Sequence, residues 1–193
     1  MPSSWCIQSM RQSKKRGAIS VLDIALIGMM IAILEVSKRA LDFIPNVELV
    51  TFWIIMFTLF LGGKAIYGVL GFVLIEGLVF GFHIWWIMYL YLWPALVLVT
   101  LFFRKNESVL LWSVIAGIFG LLFGAAGSLP YVVIGTLDGD LKNGFYTAFS
   151  WWIAGIPWDL VHGVANFAVM LVLYKPIRAV MNKVRGGRIS TQE

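Results

Sequence analysis

The sequence predicts an all-α membrane protein with six transmembrane helices and both termini in the cytoplasm. Sixty per cent of its 193 residues are hydrophobic and only 13% are charged, with a mean hydropathy of +0.87; such a balance belongs to chains that cross a bilayer repeatedly. The apolar residues fall into long runs, and at about 20 residues per crossing the chain has room for roughly five to seven. The cations gather in every second connection between those runs, which fixes orientation.

In order, residues 1–18 form a basic segment with Arg11, Lys14, Lys15 and Arg16. It lacks an apolar run ending in a small-residue cleavage site, so it reads as a cytoplasmic lead rather than a removed leader. Residues 19–177 form the membrane domain, and 178–193 a basic cytoplasmic tail, expected to be frayed. Span one covers Ile19 to Ala40, with small residues Ala25, Gly28 and Ala32 on one side. Small residues four apart let a second helix come close in lipid, either a neighbour in the same bundle or a partner protein. The connection SKRALDFIPNVELVT has a Pro-Asn turn signal at Pro45 and Asn46. Span two follows from about Val47 to Leu61, a Gly62–Gly63–Lys64 turn leads into span three (Ala65 to Phe82), and span four covers Trp85 to Phe103. Span five is read as one helix from Val109 to Gly135, rich in glycine (Gly117, Gly120, Gly124, Gly127) for close packing. Span six lies within Phe145 to Ile177, longer than a straight crossing needs.

Lys and Arg number four before span one, one at Lys64, two at Arg104 and Lys105, and five after Tyr174, making 12 on one side against Lys38, Arg39 and Lys142 on the other. The positive-inside rule therefore puts both termini in the cytoplasm. It also accounts for the net charge of +5 without a nucleic-acid partner.

The stretch that carries chemistry is WWIAGIPWDLVHGVANFAVMLVLY, Trp151 to Tyr174. Asp159, His162 and Asn166 stand at i, i+3 and i+7, on one helix face. A carboxylate inside a bilayer costs about 2.5–3.5 kcal/mol on insertion scales, so such groups face a bundle interior and mark a functional path. Trp152 and Trp158 flank them, and Pro157 frees a carbonyl nearby. Two readings stand for the Asp159–His162 pair: a ligand contact, or a direct pair that locks helices together. Glu76 in span three is a second intramembrane carboxylate. In span four Trp86, Tyr89 and Trp93 form one aromatic face, and Trp93 lies too deep for an interfacial belt. Tyr131 marks the outer end of span five. All these residues converge on the outer half of one bundle and suit a planar or large-ring ligand.

Other classes lack their residues. No phosphate-binding glycine loop and no His-Glu-x-x-His motif occurs. The single Cys6 gives no disulfide or metal spacing, so neither cofactor nor metal is expected. GAAGSLP around Ser128 lacks the glycine after serine that an intramembrane serine hydrolase would show. The inner halves of the spans, such as Val97 to Phe103 and Phe167 to Leu173, are apolar, which argues against a channel; no inverted repeat supports a secondary transporter.

Six short spans, the basic start, the small-residue first helix, IPNVELVT opening span two and IPWDLVHGVANF in span six together resemble the substrate-binding S components of energy-coupling factor (ECF) vitamin transporters, over about Val21 to Pro176. The resemblance implies a multi-pass protein of a bacterial cell membrane that is not itself an enzyme. It would capture a vitamin or vitamin precursor from outside and work with a membrane coupling protein and two cytoplasmic ATPases. It implies substrate contacts at Asn46, Glu48, Trp86, Tyr89, Trp93, Tyr131, Trp152, Trp158, Asp159, His162 and Asn166, and docking through Gly28 and Ala32, where the family's Ala-x-x-x-Ala begins with glycine. Riboflavin-, pyridoxine-, queuosine- and cobalamin-like ligands all fit this reading. The alternatives are a small membrane enzyme acting on a lipid or isoprenoid, with Asp159 and His162 as acid–base pair, and a structural subunit whose polar residues bind only neighbouring helices.

Overall fold

A computed structural model describes residues 19–190, with side chains to Val184. The basic segment 1–18, including Cys6, lies outside the described residues, as do residues 191–193 and the side chains of Arg185 and Arg188. The described chain is helical, without strands: α1 (Val21–Ala40), α2 (Val50–Leu61), a 3-10 turn (Gly62–Lys64), α3 (Ala65–Phe80), α4 (Ile84–Phe103), α5 (Val109–Gly127), α6 (Leu129–Leu137) and α7 (Leu141–Ser190). Four apolar stretches, Val50–Phe80, Ile84–Phe103, Val109–Leu137 and Leu141–Val184, are long enough to cross a membrane. The helix α1 carries Asp23, Glu35, Lys38 and Arg39 within its 20 residues and is not among them.

Burial runs inside out. Leu78, Leu98, Phe102, Val164 and Val172 face outward, whereas Glu76, Asp159, His162 and Asn166 are buried. Apolar surroundings for the first set and protein surroundings for the second are what a lipid solvent demands.

The helix α2 is the core of the bundle. Every residue from Val50 to Leu59 is buried except Trp53, and the cluster extends to Met30, Phe72, Trp93, Trp112 and Met170. At 12 residues α2 is about 18 Å long, well short of α1 at about 30 Å. The irregular segment 41–49 fills the remaining height above it and closes one end of the bundle.

Three ion pairs align α1 with α3 and the turn that leads into it. Asp23 meets Lys64 at 2.6 Å at one end, and Lys38 and Arg39 meet Glu76 at the other. The two helices therefore run parallel. Since α2 also packs on α1, the chain must reverse at Gly62–Lys64, where Gly62 takes a φ of +64° that side chains disfavour. The first helix starts at a reciprocal cap, Ser20 accepting from the Asp23 amide at 3.1 Å while Asp23 accepts from the Ser20 amide at 2.9 Å.

The helices α5 and α7 pack closely and run antiparallel. A Cβ at Gly120 would sit 2.8 Å from the Gly163 backbone, and one at Gly117 3.2 Å from Phe167. The glycines of span five thus serve the close packing read from the sequence. That span is not one helix, however: it breaks at Ser128, and Leu129–Leu137 forms a separate nine-residue helix, α6. Pro130 is the cause. It cannot donate to the Ala126 carbonyl four residues back, and the Tyr91 hydroxyl donates to that carbonyl instead at 2.7 Å.

The last helix begins earlier and ends later than the sequence suggests. Asp140 caps it by accepting from the Asn143 amide at 2.8 Å, and it runs without interruption through Pro157 and Pro176 to Ser190. Its 50 residues span about 75 Å, more than twice a hydrocarbon core of about 30 Å. The tail is described as helix as far as Ser190, not as frayed chain.

Candidate functional site

The site lies at the end closed by segment 41–49, where three cavities adjoin. One, of about 180 Å³, lies under the segment between Pro45, Asn46, Glu48, Lys38, Tyr89, Phe123 and His162. A second, of about 270 Å³, is bounded by Pro45, Asn46, Phe123, Gly124, Trp151, Gly155, Trp158 and Asp159. The third, of about 340 Å³, is bounded by Lys38, Arg39, Glu76, Trp85, Met88, Tyr89 and Phe123. Phe123 lines all three and stands where they meet.

The α7 face predicted from spacing is present, but its members do not pair with each other. Asp159 Oδ1 accepts from the Gly124 backbone N–H at 3.0 Å, and Oδ2 has no partner. Gly124 is required here: a Cβ on it would overlap the carboxylate. His162 Nε2 lies 3.3 Å from Glu48 Oε1, within ion-pair distance but without a hydrogen bond. Asn166 donates to Thr51 Oγ1 at 3.2 Å, leaving its own Oδ1 unpartnered. The direct Asp159–His162 lock expected as one reading is therefore replaced by contacts to α5, to segment 41–49 and to α2. Asp159, His162 and Asn166 are 8%, 3% and 1% exposed. Buried polar atoms normally find partners, and orphans concentrated on one face mark it as poised for something else.

The aromatic face of α4 is shifted by one residue at its end. Trp85 packs on Tyr89 and Tyr89 on Trp93, both with centroids 5.3 Å apart, and Trp93 reaches Phe123 at 5.5 Å. Phe123 in turn lies 5.1 Å from the His162 ring. Trp86 turns away instead: its Nε1 donates to the Val73 carbonyl at 2.8 Å and its ring meets Phe82. Trp93 is fully buried with Nε1 unpartnered. On the other side, Tyr131 stacks on Trp151 at 4.7 Å, and Trp158 stands half exposed at the mouth. Trp152 packs edge-on to Phe149 at 6.1 Å and lines none of the three cavities.

Glu76 does not present a free carboxylate. It is 1% exposed and holds both Lys38 and Arg39, the latter at 2.7 Å, with Glu35 beside it. Arg39 also meets Asp42 at 2.8 Å, and Lys38 lies over the Tyr89 ring at 4.9 Å. This ionic cluster ties α1, α3 and α4 together at the rim. Asn46 adopts a left-handed φ of 58°, a conformation asparagine accepts more readily than most residues, and so shapes the roof.

Sequence reasoning missed Phe123, Trp85, Gly124 and Glu35. Glu35 carried a usable signal, standing three and four residues before Lys38 and Arg39. Phe123, one of 14 phenylalanines, carried none. On α1, Gly28 has open space around it, and Ala25 and Ala32 are exposed. Among the described residues no group of three or more His, Cys, Asp or Glu could hold a metal ion.

Compared with known proteins, the chain matches no family model, no curated protein and no solved structure.

Proposed function

We propose that this chain is the substrate-binding subunit of an ECF-type importer, capturing a vitamin or vitamin precursor at the 41–49 end and handing it inward with a coupling protein and two ATPases. The observation that carries the reading is the joint one at Phe123: three adjoining cavities, lined by aromatic rings and by Asp159 and His162, each with a buried polar atom that has no hydrogen-bond partner. That is the composition of a small-molecule site. Beneath it the core is solid, with Trp93, Trp112, Phe52, Phe57 and Met170 buried. A cup closed below binds cargo and needs a partner to release it.

Six crossings with both termini cytoplasmic fit the reversal at Gly62–Lys64 and the cation count, and would place the cup outside, in a bacterial cell membrane. The stripe Ala25, Gly28 and Ala32 is the surface available for the coupling protein, because the bundle leaves it uncovered. On this reading the chain has no catalytic step of its own.

The test is co-purification from cells that co-express a tagged chain with a defined ECF coupling protein and its two ATPases. The unmodified chain is expected to retain the module. Gly28→Leu, which adds bulk where nothing in the bundle is touched, should lose the module while keeping its own thermal midpoint. Failure of the unmodified chain to retain it, combined with turnover of an isoprenoid or lipid that Asp159→Asn abolishes, would instead favour the enzyme alternative.

A further inference from the structure

We infer that the ligand is an aromatic compound bearing a protonated nitrogen, held by the free oxygen of Asp159 with its ring between Phe123 and Trp158. The inference rests on the binding-subunit reading and narrows it to ligands with a basic nitrogen. Asp159 is 8% exposed, spends only Oδ1 on the protein, and lines the 270 Å³ cavity; its Oδ2, buried against Gly124, has no partner. A carboxylate with one oxygen anchored by a backbone N–H and the other unpartnered keeps acceptor capacity for a charge-assisted bond once a small rotation brings that oxygen to a ligand donor.

The surrounding charges select the sign. Lys38 and Arg39, the cations lining these cavities, are both occupied by carboxylates, Lys38 by Glu76 and Arg39 by Glu76 and Asp42. In the adjoining cavity Glu48 adds a further carboxylate, whose ion-pair contact is His162. An anionic ligand would enter beside Asp159 and Glu48 with no uncommitted Lys or Arg among the described lining residues. A cation would replace the partner that Asp159 lacks, and buried charge is retained where it is paired. The rings supply the rest: Trp158, half exposed at the mouth, and Phe123 offer faces to a flat cation.

The experiment measures binding of four probes of one shape by saturation-transfer NMR, using the full chain in phosphocholine nanodiscs with empty nanodiscs subtracted. Benzylamine and benzamidine are cationic at neutral pH; benzyl alcohol is neutral and benzoate anionic. The two cations are expected to bind roughly 10-fold or more tighter than benzyl alcohol, with benzoate weakest. Asp159→Asn should erase the ranking without moving the thermal midpoint, and Trp158→Ala should weaken all four probes together. Should Asp159→Asn fail to fold, the ranking in the unmodified chain decides alone. Benzoate binding as well as the cations, or cations not binding at all, would overturn the proposal. If the coupling module is still retained in that case, the binding-subunit reading stands and only the charge assignment falls; if it is not, both fall.

Discussion

Two residues at this end show how little their type alone decides. Asp159 and Glu76 are both carboxylates buried in apolar helices, yet one is left with a free oxygen and the other is saturated by two cations. They therefore predict opposite phenotypes. Glu76→Gln takes from Lys38 its carboxylate partner and leaves Arg39 only Asp42; because both cations are partly exposed, the cost falls below the roughly 3–5 kcal/mol of a fully buried pair. It should act mainly on the thermal midpoint and only secondarily on ligand affinity per folded molecule, because Glu76 lines a neighbouring cavity and not the one that Asp159 lines, a combination that unfolding curves and binding measured on the same sample resolve. Gly124→Ala should do the reverse. Its methyl group would displace the Asp159 carboxylate from its amide anchor, so binding should fall by about 10-fold or more. The overpacking cost to stability is expected to be about 1–3 kcal/mol. An unchanged affinity in Gly124→Ala would show that Asp159 does not hold the ligand. The sequence displayed both carboxylates clearly, but Lys38 and Arg39, 38 and 37 residues from Glu76, became its partners only through the parallel pairing of α1 and α3.

At the scale of elements, periodicity and punctuation located the helices well. The ends of α1, α2 and α4 fall within a few residues of the sequence reading, because glycine pairs, proline and charged clusters mark real chain reversals. Where it went astray, a local signal was overridden by a distant contact. Span five reads as a single helix from Val109 to Gly135, whereas Pro130 divides it into α5 and α6, with Tyr91 of α4 covering the carbonyl it frees. Tyr91→Phe should accordingly cost about 1 kcal/mol, read as a lower thermal midpoint. In a Pro130→Ala background, where the helix can satisfy Ala126 itself, the same substitution should cost almost nothing. Equal costs in both backgrounds would mean that Tyr91 acts only through packing. The one-residue shift from Trp86 to Trp85 has the same origin: both sit on plausible faces, and the contact with Val73 on α3 draws Trp86 away.

For the molecule as a whole, the legible part was the solvent it lives in and the general place of its polar face. Inside-out burial follows directly from 60% hydrophobic composition, since each polar side chain has to be turned toward protein. The cavities were not legible. They arise because α2 is short, segment 41–49 roofs the space above it, and Phe123 enters that space from α5; none of these is a property of one stretch of sequence. The central proposal is that this space holds a small molecule. It is tested most directly by a native mass spectrum of the protein purified from cells grown in vitamin-rich medium. A stoichiometric adduct is expected on the unmodified chain and not on Asp159→Ala, whereas an unmodified chain free of any adduct, or an adduct retained in full by Asp159→Ala, would overturn the proposal.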